Sequence, residues 1–362
     1  MTETSLTELH RVAGAPLAEF EGCSLPASFS SLEREYDAGH ESVALFDTGW
    51  HATFRLTGRD RVKYLHAITS NNIQALENGC GILALLLNPQ GRILSELEIY
   101  AEADSVLVRT HVSGRERTLA TLKKFIIASD VKVQDLTDAT GSAALEGPQA
   151  AGVVEQVCGV KLDEMPAMAL QHAVVGGIPY EIVRRSHFGA LGAEFIGARA
   201  TLAPLWGKLL VAVRAHSGEP IGMNALNALR LEAGVPWYPA DFGEAMIPHE
   251  AALENTHISF NKGCYTGQEI VERVRSRGHV NRKRVSLRFS STEPPPPGTK
   301  LRAADRSEIG FVSSSAAIPR SQPAIGMGYV RREQFGGGHV VEFDGGTAAV
   351  VDSSTVSAVQ ET

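Results

Sequence analysis

Lys262-Gly263-Cys264-Tyr265-Thr266-Gly267-Gln268-Glu269 brings an amine, a thiol and a phenol into one short segment. Thr266 with Glu269 three residues later reads as a capping box. The spacing predicts a helix from about Gly267 to Ser276, with Val271 and Val274 facing inward. Cys264 then lies in the loop feeding a helix N-terminus, where unpaired amides favour anions. Beside Lys262, a thiol in that place can be a nucleophile, although the helix field fades within a turn and Cys264 precedes the cap by two residues. The other reading is that Gly263 and Gly267 permit a tight turn and Cys264 is buried filler; spacing alone slightly favours it. A basic run follows: Arg273, Arg275, Arg277, Arg282, Lys283 and Arg284, with His279 among them. It reads equally as a solvated helix face or as a local anion-steering strip.

Two other signals carry little weight. Gly326-Met327-Gly328 lacks the third glycine and the following helix of a dinucleotide fingerprint. His249-Glu250 is followed by Leu253 where a zinc-binding helix would carry its second histidine. Cys23, Cys80, Cys158 and Cys264 form no C-x-x-C pair, so neither a disulfide framework nor a local zinc or iron–sulfur ligand set is expected.

Alternating and helical patterns outline the elements that must position these residues. Thr53–Thr57 alternates as a strand, and Gly58-Arg59-Asp60 opens a helix carrying Val62, Leu65 and Ile68. Ala84–Leu87 and Ile93–Tyr100 read as strands joined by the turn Asn88-Pro89-Gln90-Gly91. Ser105–Thr110 is another strand. Ser113 and Glu116 read as a capping box before a helix bearing Leu119, Leu122 and Ile126. Tyr180–Val183 reads as a strand, Leu202–Val213 as a helix, and Gly222–Ala233 as a helix ended by Gly234. From about Arg284 short strands alternate with Gly, Pro and Ser, as in a small β-barrel. The pattern is α+β rather than doubly wound.

The 362 residues suit two or three domains, and 43% hydrophobic with 21% charged residues is ordinary globular composition. A net charge of −7 argues against general nucleic-acid binding. The first residues carry no secretory signal, and the apolar run near Ile82–Leu87 is too short to span a bilayer. A reducing, cytoplasmic setting is expected, or the mitochondrial matrix in a eukaryote.

Lys262–Glu269, taken with Arg277-Gly278-His279-Val280-Asn281-Arg282, resembles the defining motif of the YgfZ family of folate-binding proteins. Leu229-Arg230-Leu231-Glu232-Ala233-Gly234 resembles a helix end shared by that family and the glycine-cleavage aminomethyltransferases, the GcvT-like superfamily. Pro248, His249 and Glu250 lie in the segment that follows it in both groups. Leu45-Phe46-Asp47 and Thr69-Ser70-Asn71 resemble the superfamily's N-terminal part. The similarity spans roughly residues 35–345, is strongest over 229–282 and is patchy over 140–220.

The resemblance implies a three-domain ring around a central channel holding tetrahydrofolate. Residues 1–30 would be a weakly ordered arm, 31–284 two interleaved α+β domains, and 285–362 the C-terminal barrel. Gly189-Ala190-Leu191-Gly192-Ala193-Glu194-Phe195-Ile196 is similar to the aminomethyltransferase segment whose carboxylate meets the pterin, which points to Glu194. Further folate-side contacts are implied for Arg230, Lys262, Gly263, Tyr265, Gln268 and Arg273. Cys264 and Glu96 are the candidate reactive residues. Ser95-Glu96-Leu97 stands where those enzymes carry Asp-Asp-Leu, and Leu226-Asn227 where they carry Arg-Asp. These departures favour a tetrahydrofolate-binding factor that supports iron–sulfur proteins or their assembly through Cys264. A folate-dependent aminomethyltransferase or methyltransferase is the alternative, and a tRNA-modification factor using the basic strip a weaker one.

Overall fold

The protein was analysed as a computed structural model that describes residues 2–351, apart from 125, 127, 128 and 306 and the side chain of Arg277. Two antiparallel sheets and a closed barrel organise it. The larger sheet has six strands in the order Leu170–Val175, Ile178–Arg184, Gly192–Ala198, Thr140–Glu146, Ala44–Asp47 and Glu219–Pro220. All its pairs are antiparallel except the last. Between Asp47 and Thr140 the chain leaves this sheet and builds a second. Its five strands run in the order Gly81–Leu87, Ile93–Ala101, Val106–His111, His51–Thr57 and Lys132–Asp135.

The hairpin that starts the second sheet follows from its turn chemistry. Asn88 Oδ1 accepts from the amides of Gln90 and Arg92, and Gly91 takes φ +70°. Strands Gly81–Leu87 and Ile93–Ala101 extend from it. Helix Leu202–Ala215 forms because Leu202, Leu205, Trp206, Leu209, Ala212 and Val213 recur at helical spacing, and that stripe is buried on the larger sheet's side. Helix Met223–Glu232 ends where Gly234 takes φ +70°.

The barrel closes through strands Arg282–Phe289, Gln322–Arg331, Glu308–Ile318, Lys300–Arg302, Val340–Phe343 and Gly346–Val351. Closure leaves it no free edge. Residues 352–362 of the region expected to be barrel lie outside the described residues. No helix among the described residues is long and apolar enough to cross a membrane.

Three expectations need correction. Residues 2–30, from the segment expected to be a weakly ordered arm, are built into the fold. Thr2–Glu3, Cys23–Pro26 and Leu17–Phe20 form a small sheet, and Leu6, His10, Cys23 and Leu25 are wholly buried. Asp47 fastens this segment, accepting from Thr4 Oγ1 at 2.6 Å and lying 3.1 Å from His10 Nε2. Neither expected capping box forms. Ser113 lies in a 3-10 turn and its hydroxyl meets His111 Nδ1 at 2.8 Å. Helix Gln268–Arg277 has Gly267 at its cap with φ +85°, one position past Thr266, while Glu269 pairs with Arg273.

Candidate active site between the sheets

Side chains two apart on a strand share a face, so strand Ile93–Ala101 presents Glu96 and Glu98 together. Pairing puts Glu98 opposite Arg109, Arg109 opposite Thr53, and His51 opposite His111. Arg109 then reaches across to the larger sheet. Its Nη2 donates to Glu194 at 2.6 Å and to Ser142 Oγ at 2.9 Å, while Nη1 lies 3.5 Å from Glu98. Glu98 also accepts from Arg185 Nε at 2.8 Å and Tyr100 OH at 3.1 Å. Glu194 Oε1 accepts a second time, from Thr48 Oγ1 at 2.6 Å. Two carboxylates and two guanidiniums thus balance in a nearly dry seam.

Electrostatics follow from that balance. Burial alone would raise Glu98, but Arg185, His51 and Arg109 outweigh it and hold the carboxyl at about 2. Glu194, equally buried, is held well below the usual carboxylate range, chiefly by Arg109. Burial first and Arg109 second push His51 down to about 4, and burial pushes His111 to about 3. Both rings are therefore neutral at pH 7. His51, Glu98 and Glu194 have ligand atoms within 4.8 Å of one another. Arg109 already supplies the cation in their midst, so this donor set is spent on guanidinium rather than on a metal.

Two cavities flank the network. One, of ≈ 50 Å³, has aromatic walls from Phe20, Trp50, Trp237 and Tyr238, and its polar lining includes Glu96, Glu98, Arg185 and His187. The rings of Trp50 and Trp237 lie 5.9 Å apart. The other, of ≈ 190 Å³, is polar and bounded by Thr2, Glu3 and Ser5 on one side and Thr140–Ser142 and Arg199 on another. His51 and Arg109 line both. Around the aromatic cavity Thr110 Oγ1 and His111 Nε2 are buried with no hydrogen-bond partner among the described residues, and behind it Glu194 Oε2 and His187 Nε2 face each other at 3.5 Å. Buried polar atoms of this kind call for a partner, either ordered water or a polar ligand.

The structure places the expected residues unevenly. Glu96 lines the aromatic cavity, and its Oε1 lies 2.9 Å from His257 Nε2. Glu194 lines neither cavity but lies behind Arg109, His51 and His187, with Oε2 3.5 Å from His187 Nε2. Arg230 is buried within its helix. It donates to Asp241 and to Asn227 Oδ1, and its guanidinium lies 5.0 Å from the centre of the Trp237 ring, so it props the aromatic wall from outside. Asn227, at one of the departures from the aminomethyltransferases, also donates to Ser315 O at 2.9 Å and ties the helix to the barrel.

Lys262, Gly263, Cys264, Tyr265, Gln268 and Arg273 are not among the residues lining either cavity. Lys262 Nζ donates to the carbonyls of His66, Thr69 and Asn71, closing the C-terminal end of helix Arg61–Ile68. Burial pushes its pKa down to about 8. Tyr265 is buried with Lys262 5.0 Å over its ring. A side chain at Gly267 would meet Asn88 O at 2.7 Å, so this glycine lets its helix sit on the hairpin turn. Gly263 faces open space, Gln268 starts the helix, Arg273 pairs with Glu269 on the surface, and Cys264 is exposed.

The sequence reading missed Arg109, His51, Glu98, Arg185 and His187. A signal existed for two of them. Arg109 is a charge directly after the apolar run Val106–Val108 on one strand, and Glu98 repeats Glu96 at strand spacing. The histidines and Arg185 carry no such mark.

An α+β pair of sheets joined to a closed barrel, with a charged seam between the sheets, defines the class. The model of the GCVT N-terminal domain matches residues 6–262, and the chain belongs to that family. An aminomethyltransferase of Chlorobium phaeobacteroides is 29% identical over 347 residues, covering 95% of this chain and 94% of the relative. One from Thermoanaerobacter sp. strain X514 is 24% identical over 332 residues, covering 91% and 89%. Among solved structures, the glycine cleavage system aminomethyltransferase T of Bartonella henselae matches with a TM-score of 0.89 at 25% identity, covering 98% of each chain.

Proposed function

We propose that this protein binds a reduced folate in the aromatic-walled cavity and transfers a one-carbon unit to it from an amine-type donor, as an aminomethyltransferase does. One observation carries the reading: Glu96 stands on that cavity wall with its carboxylate against His257. The likeness to aminomethyltransferases over nearly the full chain supports it. The cavity's composition suits such a ligand. Trp50, Trp237 and Tyr238 offer flat apolar faces to a heterocycle, and the orphans on Thr110 and His111 offer hydrogen bonds. A bound reduced folate would supply the nitrogen that accepts the one-carbon unit. The chain's part is to orient that heterocycle, exclude water with its aromatic rings, and relay at Glu96 the proton that the attacking nitrogen loses and the departing amine gains, with His257 holding the carboxylate in place.

Anaerobic calorimetry with tetrahydrofolate, paired with turnover of a lipoyl-bound aminomethyl donor, tests the proposal. Glu96→Gln is expected to bind tetrahydrofolate within about threefold of wild type and to lose about a hundredfold in turnover. A wild type that binds no tetrahydrofolate would overturn it.

The iron–sulfur reading has less behind it. Cys264 is exposed, is absent from both cavity linings, and stands past residue 262, where the family match ends. The tRNA reading is weakened by pairing within the basic run: Arg273 with Glu269, Arg275 with Glu272, and Arg282 with Glu250.

A further inference from the structure

The polar cavity beside the charged seam has no part in the function proposed above. At ≈ 190 Å³ it has room for about six water molecules or one small organic ion. Gly49 and Thr137, where the chain passes between the two sheets, stand in its wall, and exposed Thr2, Glu3, Asp138 and Arg199 rim it.

Two polar atoms of its wall lack partners. Arg109 has 1% of its side chain exposed, and its Nε is buried with no acceptor among the described residues. In a guanidinium the Nε proton and Nη2 lie on one edge. Nη2 donates to Ser142 Oγ, and Ser142 lines the polar cavity but not the aromatic one. The Nε proton is therefore aimed into the polar cavity. Ser5 Oγ is the second such atom. It stands against Gly141, where an added Cβ would come within 2.3 Å of it. A guanidinium N–H only donates and a hydroxyl can donate, so both atoms call for an acceptor.

Charge at the rim has the same sense. Glu3 is paired with Arg11 at 2.9 Å and Asp138 with Arg115 at 2.7 Å, so both acids are neutralised by arginines that do not line the cavity. Arg199 makes no ion pair among the described residues. Its Nη2 donates to the carbonyl oxygens of Glu3 and Thr4, which leaves its charge and its other N–H groups for a ligand. The charge of Arg109 is already answered by Glu98 and Glu194. Arg199 thus supplies the net attraction for an anion, while Arg109 and Ser5 supply direction.

We propose that the polar cavity is a binding site for a small oxyanion, a carboxylate or inorganic phosphate, distinct from the aromatic-walled cavity. The oxyanion's oxygens accept from Arg109 Nε–H and Ser5 Oγ–H, and Arg199 balances its charge. This goes beyond the one-carbon reading and stands without it.

The test uses the full chain, isotopically labelled at its arginines and observed by NMR. It is titrated with sodium acetate and, separately, with inorganic phosphate, while chloride holds the ionic strength constant. A buried Nε–H that gains an acceptor moves its proton resonance downfield, so Arg109 reports occupancy directly. Saturable movement with a midpoint below about 10 mM is expected with at least one of the two ions. Ser5→Ala and Arg199→Gln, at positions that line the polar cavity alone, should each raise that midpoint about tenfold or more. A response to acetate alone assigns a carboxylate, to phosphate alone the inorganic ion, and to both their shared chemistry. If neither ion moves Arg109 saturably, the cavity holds water only and the proposal falls. If Arg109 moves but the midpoint is unchanged in either variant, the ion sits elsewhere and the proposal falls too. Whether tetrahydrofolate binds has no bearing on these outcomes.

Discussion

Arg109 holds two carboxylates on one guanidinium with 1% of its side chain exposed. Replacing it strands Glu98 and Glu194 in a nearly dry seam. Arg109→Met is expected to cost about 3–5 kcal/mol in urea unfolding, the usual effect of breaking a buried pair. Arg109→Met with Glu194→Met together should cost less than Arg109→Met alone. Cys264→Ala, by contrast, is expected to change stability by less than about 0.5 kcal/mol, because the thiol is exposed. Glu96 was singled out by the resemblance of Ser95-Glu96-Leu97 to the Asp-Asp-Leu segment of aminomethyltransferases, and strand alternation puts it on one face with Glu98. Glu194 was singled out by resemblance alone, and its pairing with Arg109 was not legible, since that partner lies 85 positions away in the chain. No local pattern encodes that contact.

Lys262 and Gly267 work on whole elements. Lys262 satisfies the carbonyls of His66, Thr69 and Asn71, more than 190 positions earlier in the chain. Lys262→Met should cost about 2 kcal/mol or more, since buried acceptors would lose their donor. Amide exchange at the end of helix Arg61–Ile68 should rise with it. Gly267→Ala should cost at least about 1 kcal/mol, from the positive φ and from the clash with Asn88 O. Both effects would be read in thermal unfolding. The helix after Gly267 was legible from its periodicity. The purpose of the segment before it was not, because the same lysine, cysteine and glycines suit a reactive loop and a structural clasp alike. The N-terminal segment was illegible for another reason. Two- and four-residue strands and a six-residue helix leave too little periodicity to read, and its order comes from contacts such as His10 with Asp47.

The whole molecule should be acid-sensitive before its carboxylates titrate. His51 and His111 have folded values of about 4 and about 3, below the ordinary 6.5. Between those values and 6.5 the unfolded chain binds more protons than the folded one, so stability falls as pH drops through that window. Glu98, at about 2, adds a further loss below its ordinary 4.5. His40 acts in the opposite sense. Its hydrogen bond with Glu232 raises its pKa, so its contribution is present below 6.5 and fades as pH rises through the folded value. The urea midpoint should therefore fall between pH 7 and pH 5, and His51→Phe should flatten that fall. A midpoint independent of pH over this range would contradict the buried, neutral state of these rings. The barrel and the antiparallel pairings were legible at this scale because turn residues punctuate short strands. The seam between the sheets was not, since it depends on how two surfaces meet.

His51 and Arg109 stand in the walls of both cavities, so an occupant of one that moved either side chain would change the shape of the other. A molecule on the aromatic side that draws either side chain toward it reshapes the polar side by the same movement. Linkage makes such an effect mutual: whatever free energy one occupant adds to or removes from the other's binding, the second returns in equal measure to the first. The order in which two ligands bind then leaves their joint affinity unchanged, while each single affinity depends on whether the other chamber is filled.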